Sequence, residues 1–339
     1  MEEYRGAQTV AVYTDPRSEF AALRSGCGVY DLGWRAKILL AGSDRVRWLN
    51  GMVTNNVRDL GVGRGVYAFL LNPQGHILGD LYAYNRGEHL LVDADQSQAK
   101  KLLEVFDHYI IMDDVEVTNI SEKLTAIGVA GPKSRETLKA VRMEVPELNP
   151  SQLSDITWDQ VGLTVVRGDN PAIESYELWL APANRDQLWD ALGKAGTIPV
   201  GSEALELLRI AAGIPRYGQD IRERDLPQET EQTRALHFSK GCYVGQEIVE
   251  RIRSRGAVHR KFAGFTIQGS SPTPGTKIQA GGKEVGEITS AASLPGSHGD
   301  FAVALGYIRR EAGATGKQVE ISGGPAIVSE LPFAEAFKN

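Results

Sequence analysis

Cys242 stands in the run Lys240-Gly241-Cys242-Tyr243-Val244-Gly245-Gln246-Glu247, close to two glycines that leave little bulk to bury it. Lys240 precedes it by two residues, and 246–251 reads as the start of a helix. A nearby cation and a helix N-terminus both favour thiolate over thiol, so this cysteine is expected to be reactive near neutral pH. Free cysteines are more often small buried hydrophobes. That is the reading for Cys27, which sits between Gly26 and Gly28 with no cation close in sequence.

Two carboxylates come next. Asp80 interrupts the apolar run Ile77-Leu78-Gly79-Asp80-Leu81 just after a turn. It is either an exposed edge carboxylate or one poised in a cleft against an amine. Glu177 lies in Tyr176-Glu177-Leu178-Trp179-Leu180, where strand alternation puts it beside Trp179 and opposite Tyr176, Leu178 and Leu180. Such a pair is either ordinary strand surface or a holder for a flat heterocycle, the carboxylate matching an amidine-like donor pair and the indole giving a stacking face. Arg251, Arg253, Arg255, His259, Arg260 and Lys261 form the one strongly basic run. It reads as a solvated face or as a counter-surface for an anionic ligand or partner.

The elements that must position these residues are legible from periodicity. Helices are expected after Ser43 as a cap, near 96–107 from the stripe Ala99, Leu102, Leu103 and Phe106, after Gly131-Pro132, around Leu188, Trp189 and Leu192, and around Ala204, Leu205, Leu208 and Ala211. Strands are expected at 66–71, 77–84, 89–92, 115–118, 124–129, 163–167 and 176–180. The turn Asn72-Pro73-Gln74-Gly75 joins the first two. Strand often follows strand directly, which predicts antiparallel α+β rather than βαβ winding. Beyond about residue 258 six short strands, 262–267, 276–279, 284–289, 302–307, 318–321 and 326–329, predict a small all-β barrel or sandwich. The stretches 270–275 and 295–299 read as loops. Domains are therefore expected at 1–257 and 258–339.

Composition narrows the function. A chain of 339 residues with 42% hydrophobic and 24% charged residues is of the globular class and long enough for several domains. A net charge of -6 opposes general nucleic-acid binding, since phosphate affinity needs basic surface. Two cysteines and six scattered histidines provide neither a disulfide framework, nor four cluster thiolates, nor a spaced metal site. The N-terminus lacks the pattern of a secretory signal, and no apolar run is long enough for a bilayer helix. A reducing, cytoplasmic setting is expected. Gly61-Val62-Gly63-Arg64-Gly65 precedes a strand instead of joining strand to helix, which argues against a dinucleotide loop.

The run 240–247 resembles the signature K-G-C-[YF]-x-G-Q-E of the folate-binding YgfZ family, whose mitochondrial relatives assist iron–sulfur cluster assembly. Leu226-Pro227-Gln228-Glu229 lies upstream at the family's usual position. From about residue 20 onward the chain is similar to the wider superfamily of the glycine-cleavage T-protein, an aminomethyltransferase. Val29-Tyr30-Asp31-Leu32, Thr54-Asn55-Asn56-Val57, Tyr217-Gly218-Gln219-Asp220, 285–290, Ala304-Leu305-Gly306-Tyr307 and Leu331-Pro332-Phe333 carry that likeness in order. The resemblance implies an α+β fold of two interlaced folate-binding units around a central opening, followed by a C-terminal β-barrel. It implies tetrahydrofolate as cofactor, Asp80 near the reactive pterin nitrogen, Glu177 as the pterin-recognising glutamate, Tyr67 as a cofactor contact and Arg209 approaching the folate. Arginine suits that place because guanidinium pairs carboxylates bidentately. At Asp93 the T-protein pattern has Asn, a change from a donor–acceptor amide to an acceptor that alters how a pterin is held. The T-protein also lacks the 240–247 signature. The leading expectation is thus a tetrahydrofolate-binding factor for assembling or repairing iron–sulfur clusters in client enzymes, with Cys242, Asp80 and Lys240 carrying the chemistry. The alternative is a folate-dependent aminomethyl or one-carbon transferase. A third reading is a binding module that uses the basic run for RNA or a protein partner.

Overall fold

The computed structural model describes residues 1–256, 258–296 and 299–338, and of Arg255 the backbone alone. The chain divides into two units. The first comprises Met1–Leu70, Gly79–Leu205 and Ser239–Tyr243; the second comprises Leu71–Leu78, Glu206–Phe238 and Val244–Asn339. The boundary expected at 257/258 falls on residue 257, outside the described residues.

Two sheets make up most of the first unit. One runs Gly65–Leu71, Ile77–Asn85, Leu90–Asp95, Arg35–Ala41, Glu116–Asn119 in spatial order. The other runs Leu153–Trp158, Val161–Arg167, Ser175–Leu180, Thr125–Ala130, Gly28–Asp31, Ile198–Pro199. Pairing is antiparallel except where Ile198–Pro199 lies along Gly28–Asp31. The expected α+β class therefore holds. Alternation sorts the strand Ser175–Leu180 as its pattern requires. Tyr176, Leu178 and Leu180 enter a core with Val29, Ile127, Leu188 and Leu192, while Trp179 joins Tyr84, Leu91, Trp34 and Val166 in a second core. The helix Gln96–Tyr109 buries Ala99, Leu102 and Phe106, the expected stripe.

Local expectations were met unevenly. Ser43 does not cap the helix Arg45–Met52: its hydroxyl donates to Asp114 Oδ2 at 2.7 Å, and Asp44 holds the N-cap position. Gly131-Pro132 does not open a helix. Gly131 turns the chain at φ 123°, and the helix is Ser134–Ala140. The strands Arg35–Ala41 and Gly28–Asp31 and the helix Pro16–Ser25 had been missed, the first because its two cationic side chains break the apolar pattern.

In the second unit six strands close a barrel in the order Arg260–Ile267, Gly299–Arg309, Lys283–Gly296, Lys277–Ala280, Gln318–Ile321, Gly324–Ser329. Phe265, Ile278, Ile288, Ala304, Ile308 and Val328 fill it. Of the stretch expected as a loop at 295–299, Pro295 and Gly296 end one strand and Gly299 opens the next, Pro295 pairing with Asp300 and Gly296 with Gly299; Ser297 and His298 lie outside the described residues. Register shifts between Ile288 and Ser290, so Thr289 is bulged. A bulge lets two successive side chains serve one neighbour. Ser290 Oγ donates to Asp220 Oδ1 at 2.7 Å, and Thr289 Oγ1 donates to the same oxygen.

Candidate functional site

Asp80 sits on the strand Ile77–Asn85 with Tyr82 and Tyr84 on its side of the sheet. Its carboxylate accepts from Tyr67 Oη at 2.7 Å and from Gln98 Nε2 at 2.8 Å. Gln98 Oε1 in turn accepts from the Asp80 amide at 3.0 Å, so one glutamine fixes both ends of the residue. Gly79 makes this possible: a Cβ there would lie 3.0 Å from Gln98 Oε1 and 3.3 Å from Leu102 Cδ2. The missing side chain admits the helix close enough for Gln98 to reach. Burial pushes the Asp80 carboxyl above its ordinary value and the Asp95 charge adds to that, against the two hydrogen bonds and Arg35.

Asp93 lies in register between Tyr82 and Lys37 on neighbouring strands. Its Oδ1 accepts from Arg35 Nε at 3.0 Å and stands 3.0 Å from Lys37 Nζ. Lys37 is fully buried, 4.4 Å from the centroid of Trp179. Its ammonium forms an ion pair with Asp93 but, among the described residues, makes no hydrogen bond of acceptable angle, and Asp93 Oδ2 is likewise buried without a donor among them. Arg35 also donates to Asp95 at 2.6 Å. Burial would lower the Arg35 pKa, but Asp93, Asp95 and Glu177 outweigh it and hold the guanidinium charged.

Glu177 accepts from the Trp179 indole at 2.8 Å. Aromatic rings connect it to Asp80: Tyr67 to Tyr82 at 5.1 Å between centroids, Tyr82 to Tyr84 at 6.1 Å, Tyr84 to Trp179 at 5.1 Å. Asp80, Tyr67, Asp93 and Glu177 thus share one aromatic face within the first unit. Gln98, Arg35, Lys37 and Tyr82 belong to it and were missed. A lysine and an arginine two residues apart in a strand signal a common face. Nothing in the sequence marked Gln98.

Within 240–247 the fold explains most positions. Lys240 is buried, and its ammonium donates to the carbonyls of Asn50, Val53 and Asn55, the last at 2.8 Å. Three donors meet three acceptors. The cation expected to face the thiol is therefore committed elsewhere, and burial, helped by Arg58, pushes its pKa down to about 7. Tyr243 lies under it at 4.8 Å. Gly245 has φ 81°, and a Cβ there would meet Asn72 O at 2.5 Å, so the turn Asn72-Pro73-Gln74-Gly75 needs glycine here. The helix Gln246–Arg255 starts as expected, with Glu247 in its first turn. Cys242 is exposed and Cys27 buried. Gly241 and Cys242 are adjacent exposed positions of the segment, and packing does not account for the cysteine.

Arg209 lies in the second unit and is 4% exposed. Nε and Nη2 donate to Glu206 at 3.0 and 2.7 Å, Nη1 to Asp220 at 2.6 Å and Ile214 O at 3.0 Å, and Nη2 to Ser290 at 3.0 Å. All five guanidinium donors are engaged, leaving none for an outside carboxylate. The basic run is likewise split. Arg260 is tied to Asp225 at 2.6 Å and Glu229 at 2.9 Å, Arg253 to Phe238 O and Glu250, and the Arg255 side chain lies outside the described residues. Among the described residues no group of acidic, histidine and cysteine side chains could hold a metal, and no helix is long and apolar enough to cross a membrane.

A carboxylate-bearing aromatic face on an α+β unit, with a six-stranded closed barrel following it, defines a recognisable class. The chain belongs to the glycine-cleavage T-protein family: residues 2–240 match the GCVT N-terminal domain and residues 260–334 the glycine-cleavage T-protein C-terminal barrel domain. It is 28% identical to an aminomethyltransferase of Rubrobacter xylanophilus over 99% of this chain and 91% of that protein. The corresponding figures for an aminomethyltransferase of Thermus thermophilus are 29%, 98% and 94%. A putative chloroplastic transferase of Arabidopsis thaliana is 28% identical over 92% of this chain and 72% of its own length. The fold matches the crystal structure of the glycine cleavage system aminomethyltransferase T from Bartonella henselae, with a TM-score of 0.87 and 21% identity over 99% of this chain and 94% of that one.

Proposed function

We propose that the first unit binds tetrahydrofolate and that the protein is a folate-dependent transferase of aminomethyl or related one-carbon groups. The observation that carries this is Asp80: a carboxyl raised by burial, fixed by Tyr67 and Gln98, and joined by aromatic rings to Glu177. Perturbed carboxyls placed in this way are typical of proton-handling groups. The residues fit a pterin. Asp93 Oδ2 is a buried acceptor without a donor, and Glu177 adds a second carboxylate, which suits the N–H groups of a pyrimidine edge. Tetrahydrofolate held there would supply the amine that takes up the one-carbon group. Asp80 would accept the proton that such an amine gives up, Tyr67 and Gln98 hold its carboxylate in place, and Arg35 and Lys37 hold the Asp93 carboxylate by ion pairing. Arg209 is assigned a structural part.

Calorimetric titration with tetrahydrofolate tests the reading. Wild type gives saturable binding, and Glu177→Gln weakens it about tenfold, the loss expected for one charge-assisted hydrogen bond. With an aminomethylated carrier as substrate, Asp80→Asn binds folate but loses turnover. Unimpaired turnover by that variant overturns the assignment of Asp80.

A second reading rests on Cys242, an exposed thiol whose neighbours Lys240, Tyr243 and Gly245 are explained by packing while it is not. In this reading the protein binds folate in a reducing, cytoplasmic setting and serves iron–sulfur clients, as its resemblance to the YgfZ signature implies. The named relatives favour the transferase over this reading. In a deletion strain the second reading expects reduced activity of cluster enzymes that Cys242→Ser does not restore. Full rescue by the serine variant removes its basis.

A further inference from the structure

The barrel wall carries a cavity of about 350 Å³ lined by Arg224, Arg260, Lys277, Arg309 and Tyr307 together with Glu284 and Glu287. Four basic side chains face two carboxylates, in a chain whose net charge is -6. The carboxylates are covered. Glu287 is paired by Arg222 at 2.8 Å, Arg224 at 2.9 Å and Lys277 at 3.4 Å, and Glu284 by Lys277 at 3.0 Å.

Two donors are left over. Tyr307 is 3% exposed, and its hydroxyl has no hydrogen-bond partner among the described residues. A buried hydroxyl in that state is costly unless something satisfies it. Burial raises the phenol well above its ordinary value, so it stays a donor across the usable pH range. Arg309, by contrast, is largely exposed and among the described residues has only Glu311 nearby, at 3.9 Å. Register adds a further strain: Arg309 stands directly opposite Arg260 on the neighbouring strand. Like charges in that position destabilise a sheet. Asp225 and Glu229 neutralise Arg260. Nothing equivalent among the described residues neutralises Arg309.

We propose that this cavity is a binding site for a small oxyanion, a carboxylate or phosphate group, held by the Tyr307 hydroxyl and the Arg309 guanidinium with Arg224 beside them. Guanidinium pairs either oxyanion in a planar fork, and the phenol supplies a directed third donor. The volume is at the lower end for ligand pockets, which restricts the guest to a small metabolite or the end of a larger one. The site is independent of the folate reading, because no residue of it belongs to the first unit.

Titration of the full chain with inorganic phosphate, and separately with succinate, at low ionic strength tests it. One saturable site is expected, seen by calorimetry and by the ring-carbon NMR signal that Tyr307→Phe identifies. Tyr307→Phe retains the ring against Phe262 and Arg260, so its fold should be preserved. That variant and Arg309→Gln each weaken binding about tenfold, whereas Glu177→Gln leaves it unchanged. Saturation by one anion and not the other identifies the guest's head group. Absence of saturation by both, or undiminished binding to Tyr307→Phe, overturns the proposal.

Discussion

Asp80 shows what a single buried carboxyl costs. Its pKa in the folded chain lies above the free value of 3.8, so the folded state holds the proton more tightly than the unfolded one. The stabilisation that proton provides is complete below the free value and is lost as pH rises through the folded one. Above the folded value the ionised group is therefore a burden, as proton-handling groups often are. Asp80→Asn should unfold a few degrees higher than wild type at pH 7, roughly the shift that 1 kcal/mol produces in a chain of this class. The gain should shrink as pH falls toward 4. Scanning calorimetry at the two pH values checks this, and a variant less stable at pH 7 would show that the Tyr67 and Gln98 hydrogen bonds dominate. Sequence could place Asp80 and Glu177 on strands but not choose between surface and cleft. For Asp80 that choice depends on Tyr67 and Gln98, which come from another strand and from a helix, and on the missing Cβ at Gly79.

At the scale of elements, the helix Arg45–Met52 has no basic residue in its last turn. Helix ends leave carbonyls without partners. Lys240 fills that role from 190 positions away, donating to Asn50, Val53 and Asn55. Lys240→Met keeps most of the stem's bulk but strips the donors, and should lower stability by about 2 kcal/mol, the typical cost of buried acceptors left unpaired. Urea unfolding measures it. An unchanged midpoint would mean that water replaces the ammonium. A cap supplied from so far along the chain has no local signal, which is why the lysine read as a partner of the nearby thiol. The Thr289 bulge was hidden for a related reason. Its extra residue is felt where Asp220, far back along the chain, collects both hydroxyls. Stripes on the helices Gln96–Tyr109 and Ser202–Ala211, in contrast, were legible because an apolar face is a local property.

Over the whole molecule, the α+β region and the all-β tail were readable from periodicity and turn residues. The second unit takes Leu71–Leu78 and Glu206–Phe238 as well as the barrel. A fragment of residues 258–339 therefore keeps all six strands but loses Asp225 and Glu229 from Arg260, and Asp220 from Thr289 and Ser290. Removing one partner of a buried charge is costly. The fragment should melt well below the full chain, or fail to show a cooperative transition by circular dichroism; a melt matching the full chain would mean the barrel closes unaided. Ser239–Tyr243 are a five-residue visit to the first unit, with the chain on both sides belonging to the second, and Lys240 is the peg that keeps them there. Since Cys27 is buried and Cys242 exposed, a maleimide dye or nitroxide would attach at one position without any engineered cysteine. Such a label would ride with the first unit, and so report that unit's tumbling and its response to added ligand in the unmodified sequence.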